Sequence, residues 1–112
     1  MRRPRLNRAV TLETPQAVSD GMGGLSEGWT PLGTLWAEVR ARSGRVTDGE
    51  AGALSRSSMR ITVRAAAMGA PDRPQAGQRL RSGARVFLID AVTEYDATGR
   101  YLTCFAREEV AA

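Results

Sequence analysis

The chain has 112 residues, close to the commonest size for one domain and too short for two independent cores. Apolar residues make up 42% of it and aromatics 5%, so the composition supports one thin core of mainly aliphatic side chains, and glycines and prolines between short apolar runs suit a β fold rather than a helical bundle. All 16 basic residues are arginine against 12 carboxylates, giving a formal charge of +4 with no histidine; this favours nucleic acid or an acidic partner and removes the usual general base, Schiff-base amine and imidazole metal ligand together.

The elements follow in chain order. Over residues 6–14, Leu6, Val10 and Leu12 fall on one side of an extended segment, with Asn7, Thr11 and Glu13 on the other, which predicts a first strand. Pro15 ends that reading, and Ser19-Asp20-Gly21-Met22-Gly23-Gly24 supplies the positive-φ residues of a reversal. The run 25–42 contains Trp29, is expected to break near Pro31, and then alternates Leu35, Ala37 and Val39 against Trp36, Glu38, Arg40 and Arg42. Residues 43–57 hold too few apolar side chains to bury a face, so they predict a long loop, mobile in the isolated subunit and reaching out like an arm.

Met59, Ile61 and Val63 then alternate with Arg60, Thr62 and Arg64 in the cleanest period-two pattern of the chain. A connecting loop over 65–77 leads to a short strand at 78–81 and a turn at Ser82-Gly83. Residues 85–95 and 100–107 flank Asp96-Ala97-Thr98-Gly99 and form a second hairpin, and 108–112 read as a frayed tail. The predicted core is Val10, Leu12, Leu35, Ala37, Val39, Met59, Ile61, Val63, Phe87, Ile89, Leu102 and Cys104. Val86 and Leu88 are apolar on the face opposite Phe87 and Ile89, so that face needs a cover; with Trp36 they are the candidate subunit interface. The fold class is all-β: a small barrel or sandwich of about six strands, one domain over 1–112, carrying the loop 43–57.

The residues offer little chemistry. Cys104 is the single cysteine and sits in an apolar strand, which suits a buried structural thiol and a reducing, intracellular compartment. The carboxylates are scattered, apart from Glu108-Glu109 near the end, so no catalytic residue, cofactor-binding residue or metal site is predicted. Gly21-Met22-Gly23-Gly24 lacks the Gly-Lys-Ser/Thr ending of a phosphate loop and reads as a turn. The basic start at Arg2-Arg3 runs into Asn7-Arg8-Ala9 rather than an apolar region, and no stretch approaches membrane-spanning length, so neither an export signal nor membrane contact is expected. Arg40, Arg42 and Arg45 precede the loop and Arg56, Arg60 and Arg64 follow it, so a hairpin there gathers six guanidinium groups. That cluster suits either a solvated strand face or contact with phosphates.

Several segments in order resemble the phage head-tail joining (head-closure or stopper) family. Leu6-Asn7-Arg8-Ala9-Val10-Thr11-Leu12-Glu13 is similar to its opening strand, and Asp20-Gly21-Met22-Gly23-Gly24-Leu25-Ser26-Glu27-Gly28-Trp29 to its Asp-Gly-aromatic-Gly-Gly then Trp segment, with Met22 where the family often has an aromatic. Leu35-Trp36-Ala37-Glu38-Val39 with Ser43-Gly44-Arg45, Ile61-Thr62-Val63-Arg64 and Arg85-Val86-Phe87-Leu88-Ile89 continue the match over nearly the whole chain. The resemblance implies a non-enzymatic subunit of a tailed phage or a phage-derived gene-transfer particle. Such a subunit assembles in the bacterial cytoplasm as a ring, of sixfold order, at the head-tail junction. Its partners would be other copies of itself, the portal-adaptor protein, tail-terminator or tail proteins, and packaged DNA, with Arg45 and Arg56 as candidate channel contacts. The alternatives are a nucleic-acid-binding barrel of the OB or SH3-like type and a tail-completion protein of the same particle.

Overall fold

The computed structural model describes residues 3–19, 21–42 and 58–109. Six strands, all antiparallel to their neighbours, make up its regular structure: β1 (Arg8–Ser19), β2 (Leu25–Ala41), β3 (Ser58–Arg64), β4 (Arg79–Ser82), β5 (Arg85–Glu94) and β6 (Tyr101–Glu109). They close into a barrel in the order β1-β2-β3-β6-β5-β4. The barrel is therefore two meanders, β1-β2-β3 and β4-β5-β6, joined along two seams. At one seam all of β3, from Ser58 to Arg64, pairs with β6; at the other only Thr11–Glu13 of β1 meets Arg79–Arg81 of β4.

The alternation in the sequence sets the inside of the barrel. Val10, Leu12, Ala37, Ile61, Val63, Leu80, Phe87, Leu102 and Cys104 are fully or almost fully buried, with Met59, Ile89 and Ala106 close behind. Each of the Val, Leu, Ile, Phe and Met side chains among them contributes about 1.5–3 kcal/mol by leaving water. Leu35 and Val39, expected in the core, are half-buried and pack against it from the rim, whereas Leu80 and Ala106 belong to the core without having been expected there. At one end Arg85 and Glu108 form a two-pronged ion pair, at 2.7 and 2.9 Å, with the Arg85 guanidinium 5.0 Å from the Phe87 ring centre. Glu108 thus belongs to β6 and closes the end of the barrel rather than fraying.

Two prolines sit inside strands where breaks were expected. β1 continues through Pro15, which pairs with Trp29, and β2 continues through Pro31, which pairs with Glu13. Proline removes a ladder donor only where a neighbouring strand needs it. Pro15 lies beyond the reach of β4, and Pro31 beyond the stretch of β2 (Ala37–Ala41) that β3 covers, so neither breaks a three-stranded ladder. Leu32 is an extra residue on β2, a bulge between the Leu12–Gly33 and Glu13–Pro31 pairs. Beyond it, 15–19 and 25–29 pair only with each other and project from the barrel as a two-stranded ribbon with Met22 and Leu25 exposed at its tip. Gly21, at φ +78, sits in the reversal there. Gly83, at φ +61, opens the two-residue turn between β4 and β5, where a side chain would be strained.

Candidate functional site

Because the inside is full, anything this domain recognises must meet its outer faces. Those faces fall into two walls, β2-β3-β6 and β1-β4-β5, on opposite sides of the barrel.

On the first wall the outward positions of β3 and β6 pair as Arg60 with Phe105, Thr62 with Thr103 and Arg64 with Tyr101. Arg60 also lies opposite Arg40 of β2, and the Arg42 amide donates to the Ser58 carbonyl at 3.0 Å, extending the row past the end of β2. The guanidinium carbons of Arg42 and Arg60 lie 5.3 and 5.7 Å from the Phe105 ring centre, and that of Arg64 lies 5.6 Å from Tyr101. Thr62 and Thr103 face outward yet are 3% and 4% exposed, because long arginine and aromatic side chains flank them on both strands. They form the floor between two raised Arg–aromatic pairs. Glu38 of β2, opposite Thr62, brings a carboxylate to this face and accepts the Arg5 amide at 3.0 Å. Past Tyr101, which packs edge-on against Tyr95 at 6.0 Å, a cleft of about 410 Å3 opens between Arg3, Pro4, Asp96 and Arg100. Asp96 holds its own turn, accepting from the Thr98 hydroxyl at 2.7 Å and the Arg100 amide at 3.0 Å; the Thr98 bond foremost keeps its carboxyl below the usual range.

The second wall treats its arginines differently. Glu13 accepts from Arg79 Nε at 2.6 Å and from Arg81 Nε at 3.2 Å, and Arg79 is stacked between that carboxylate and the Trp29 ring, 4.2 Å away. Glu13 was expected on the solvent side; it does face outward, but Arg79 and Arg81 cover it so that it is 4% exposed. Burial raises its pKa, but the hydrogen bonds and charges of Arg79 and Arg81 outweigh that, so its carboxyl sits below the usual range. Asp90, the extra residue at a bulge in β5, pairs with Arg107 at 2.9 Å. Both outward arginines of β4, and Arg107 on the bordering strand β6, thus have a carboxylate. Among the described residues, Arg40, Arg42, Arg60 and Arg64 have none in ion-pair contact.

The candidate interface residues are split between the walls. Trp36 is 58% exposed on the outside of β2, opposite Ala9. Val86 and Leu88 are half-buried on the outside of β5, three strands away, flanked by Arg81 and Arg79 of β4 and by Glu109 and Arg107 of β6. They do not form one patch. Of the expected arginine cluster, Arg40, Arg42, Arg60 and Arg64 are brought to one wall, while Arg45, Arg56 and the rest of the loop 43–57 lie outside the described residues. The Glu13–Arg79–Arg81 group was missed, since no local pattern marks it. Burial pushes the Cys104 thiol up to about 12, which leaves it un-ionised at neutral pH. No group of histidine, cysteine, aspartate or glutamate suited to a metal ion occurs among the described residues.

Comparison with known proteins agrees with this architecture. One solved chain, from the virion of a native gene transfer agent particle, superposes with a TM-score of 0.74 at 51% sequence identity, over 98% of this chain and 100% of that one. Protein SF1141 from Shigella flexneri 2a, known from a solution structure, gives a TM-score of 0.70 at 24% identity with both chains fully covered, a likeness of fold. No curated protein matches the sequence significantly. The sequence matches the phage head completion proteins over residues 1–109, and with a closed six-stranded barrel behind that match, the chain belongs to the phage head completion protein family.

Proposed function

We propose that the chain is a head-closure, or stopper, subunit of a tailed phage or gene-transfer particle, forming a ring between portal-adaptor and tail that closes the DNA channel and docks the tail. The observation that carries this reading is the 51% identity, over nearly all of both chains, to a component of a gene transfer agent virion. The surface supports it. A closed ring repeats one heterologous contact by rotation, so each subunit needs two different patches on opposite sides. Trp36 on β2 and Val86 with Leu88 on β5 stand three strands apart in a six-stranded barrel, the placement such a contact requires. The resemblance to head-tail joining proteins supports sixfold order for that ring. The role is structural, without a catalytic step.

The test is to delete the gene, complement it with variants, and image the particles. Complementation with the natural chain is expected to give tailed particles with a ring of this subunit at the head-tail junction. Trp36→Arg or Leu88→Asp should give filled heads that leak DNA or lack tails. Tailed, DNA-retaining particles in the deletion strain, or density for this subunit elsewhere in the particle, would overturn the proposal.

A further inference from the structure

We infer that the outer β3-β6 wall, with Arg40 and Arg42 beside it, is a binding surface for the phosphodiester backbone of double-stranded DNA. The inference rests on the head-closure reading only for the source of the DNA. The surface itself is argued from how the arginines are held.

A guanidinium stacked on a ring uses its π face, and the N–H donors around its edge remain available; one paired with a carboxylate has those donors occupied. Arg42 and Arg60 share Phe105, and Arg64 sits over Tyr101, with no carboxylate in ion-pair contact among the described residues. These side chains are ordered before any ligand arrives, so binding a phosphate immobilises little that was free. Positive charge, open donors and ordering together suit a polyanion with regularly spaced charges.

The same stacking argues for backbone rather than bases. Single-strand binders offer bare aromatic faces to successive bases. Here guanidinium groups lie over Phe105 and Tyr101. The spacing fits as well: Arg60 and Arg64 are four residues apart on one strand, about 13 Å, close to the roughly 12 Å width of the major groove of duplex DNA. Thr62 and Thr103, buried as a low floor between the pairs, leave room for the convex edge of a duplex to approach both rows.

The test uses the purified full-length chain and a short labelled duplex of arbitrary sequence, titrated over a range of salt. The natural chain should bind with an affinity that falls linearly on logarithmic axes as salt rises. Arg60→Gln with Arg64→Gln should weaken binding about tenfold and reduce the salt slope by about 2, while Arg60→Lys with Arg64→Lys should keep most of the slope. Arg81→Gln removes one charge from the opposite wall and should change affinity less than about twofold, and less than Arg60→Gln alone. Should the first pair not fold by thermal melting, Arg40→Gln with Arg42→Gln probes the same wall. Equal losses from both walls would overturn the inference, as would tighter binding to a single strand than to the duplex. Preference for polyglutamate over DNA would overturn it in favour of an acidic protein partner. A chain found at the head-tail junction whose wall ignores DNA sinks this inference alone; one that binds DNA as described but lies elsewhere in the particle sinks the functional reading alone.

Discussion

Both walls of the barrel carry arginine, but the arginines of β4 and those of β2 and β3 are held in opposite ways. On β1-β4-β5 and its border with β6, Arg79 and Arg81 are tied to Glu13 and Arg107 to Asp90, so each guanidinium joins parts of the same molecule. Across β2 and β3 the guanidinium groups of Arg42, Arg60 and Arg64 rest on Phe105 and Tyr101 and keep their hydrogen-bonding edges. Arginine content therefore says little by itself. The partner across the strand decides whether the residue fastens the fold or presents charge to something else.

The largest effect should come from breaking what both walls share. Ile61 is fully buried on the inward face of β3, and Ile61→Asp places a carboxylate there without a partner, costing several kcal/mol, on the order of the whole stability of a small domain. No soluble folded protein is expected; a soluble variant with an unchanged Tm would mean that the inward and outward faces of β3 are reversed. Next comes Glu13→Gln, which leaves Arg79 and Arg81 without their carboxylate and should destabilise by about 1–3 kcal/mol. Arg64→Gln, on the other wall, should change stability by less than about 1 kcal/mol. Denaturant midpoints of the two variants sharpen the contrast, and equal losses would erase it.

The walls should also differ in their response to acid. Glu13 titrates below its ordinary value because of Arg79 and Arg81, and Glu108 does so through the Arg85 hydrogen bond foremost. A carboxylate with a depressed folded-state pKa stabilises fully above its unfolded value, about 4.3, and that contribution is lost as the pH falls through the folded value. Tm should therefore decline on acidification below about pH 5, and Glu13→Gln should decline less steeply than the natural chain. Arg60 and Arg64, which meet no carboxylate in ion-pair contact among the described residues, should add nothing to that slope. Smallest of all is Arg107→Gln at the exposed pair with Asp90, which should move Tm less than any variant above.

Much of the barrel was legible because period-two alternation is a local property. Met59, Ile61 and Val63 declare the face of β3 without reference to any other strand, and Phe87 with Ile89 does the same for β5. The glycine turns were legible for the same reason. Glu13 was not, since its burial depends on guanidinium groups 66 and 68 residues away that reach it only when β1 meets β4. The prolines misled because proline is a breaker only where a neighbour needs its donor, and at Pro15 and Pro31 the missing neighbours could not be read from sequence. The gathering of Arg40, Arg42, Arg60 and Arg64 followed from their flanking a loop. Their aromatic partners did not, because Phe105 and Tyr101 arrive through the join between the two meanders.

That join, and its counterpart on the far side, divide the barrel unequally. β3 and β6 are zipped from Ser58 to Arg64, whereas β1 and β4 touch only along Thr11–Glu13 and Arg79–Arg81, where Glu13 grips both arginines. Mechanically the molecule is a rolled sheet held shut by one electrostatic clasp, so it has a built-in direction of yielding. It should unroll at β1 and β4 before its interior melts, and those amides of 79–81 that donate to β1 should exchange with solvent through that partial opening while those of Ile61 and Cys104 wait for global unfolding. A subunit wedged between neighbours would then give way along a single line, leaving the arginine-bearing wall opposite the clasp intact.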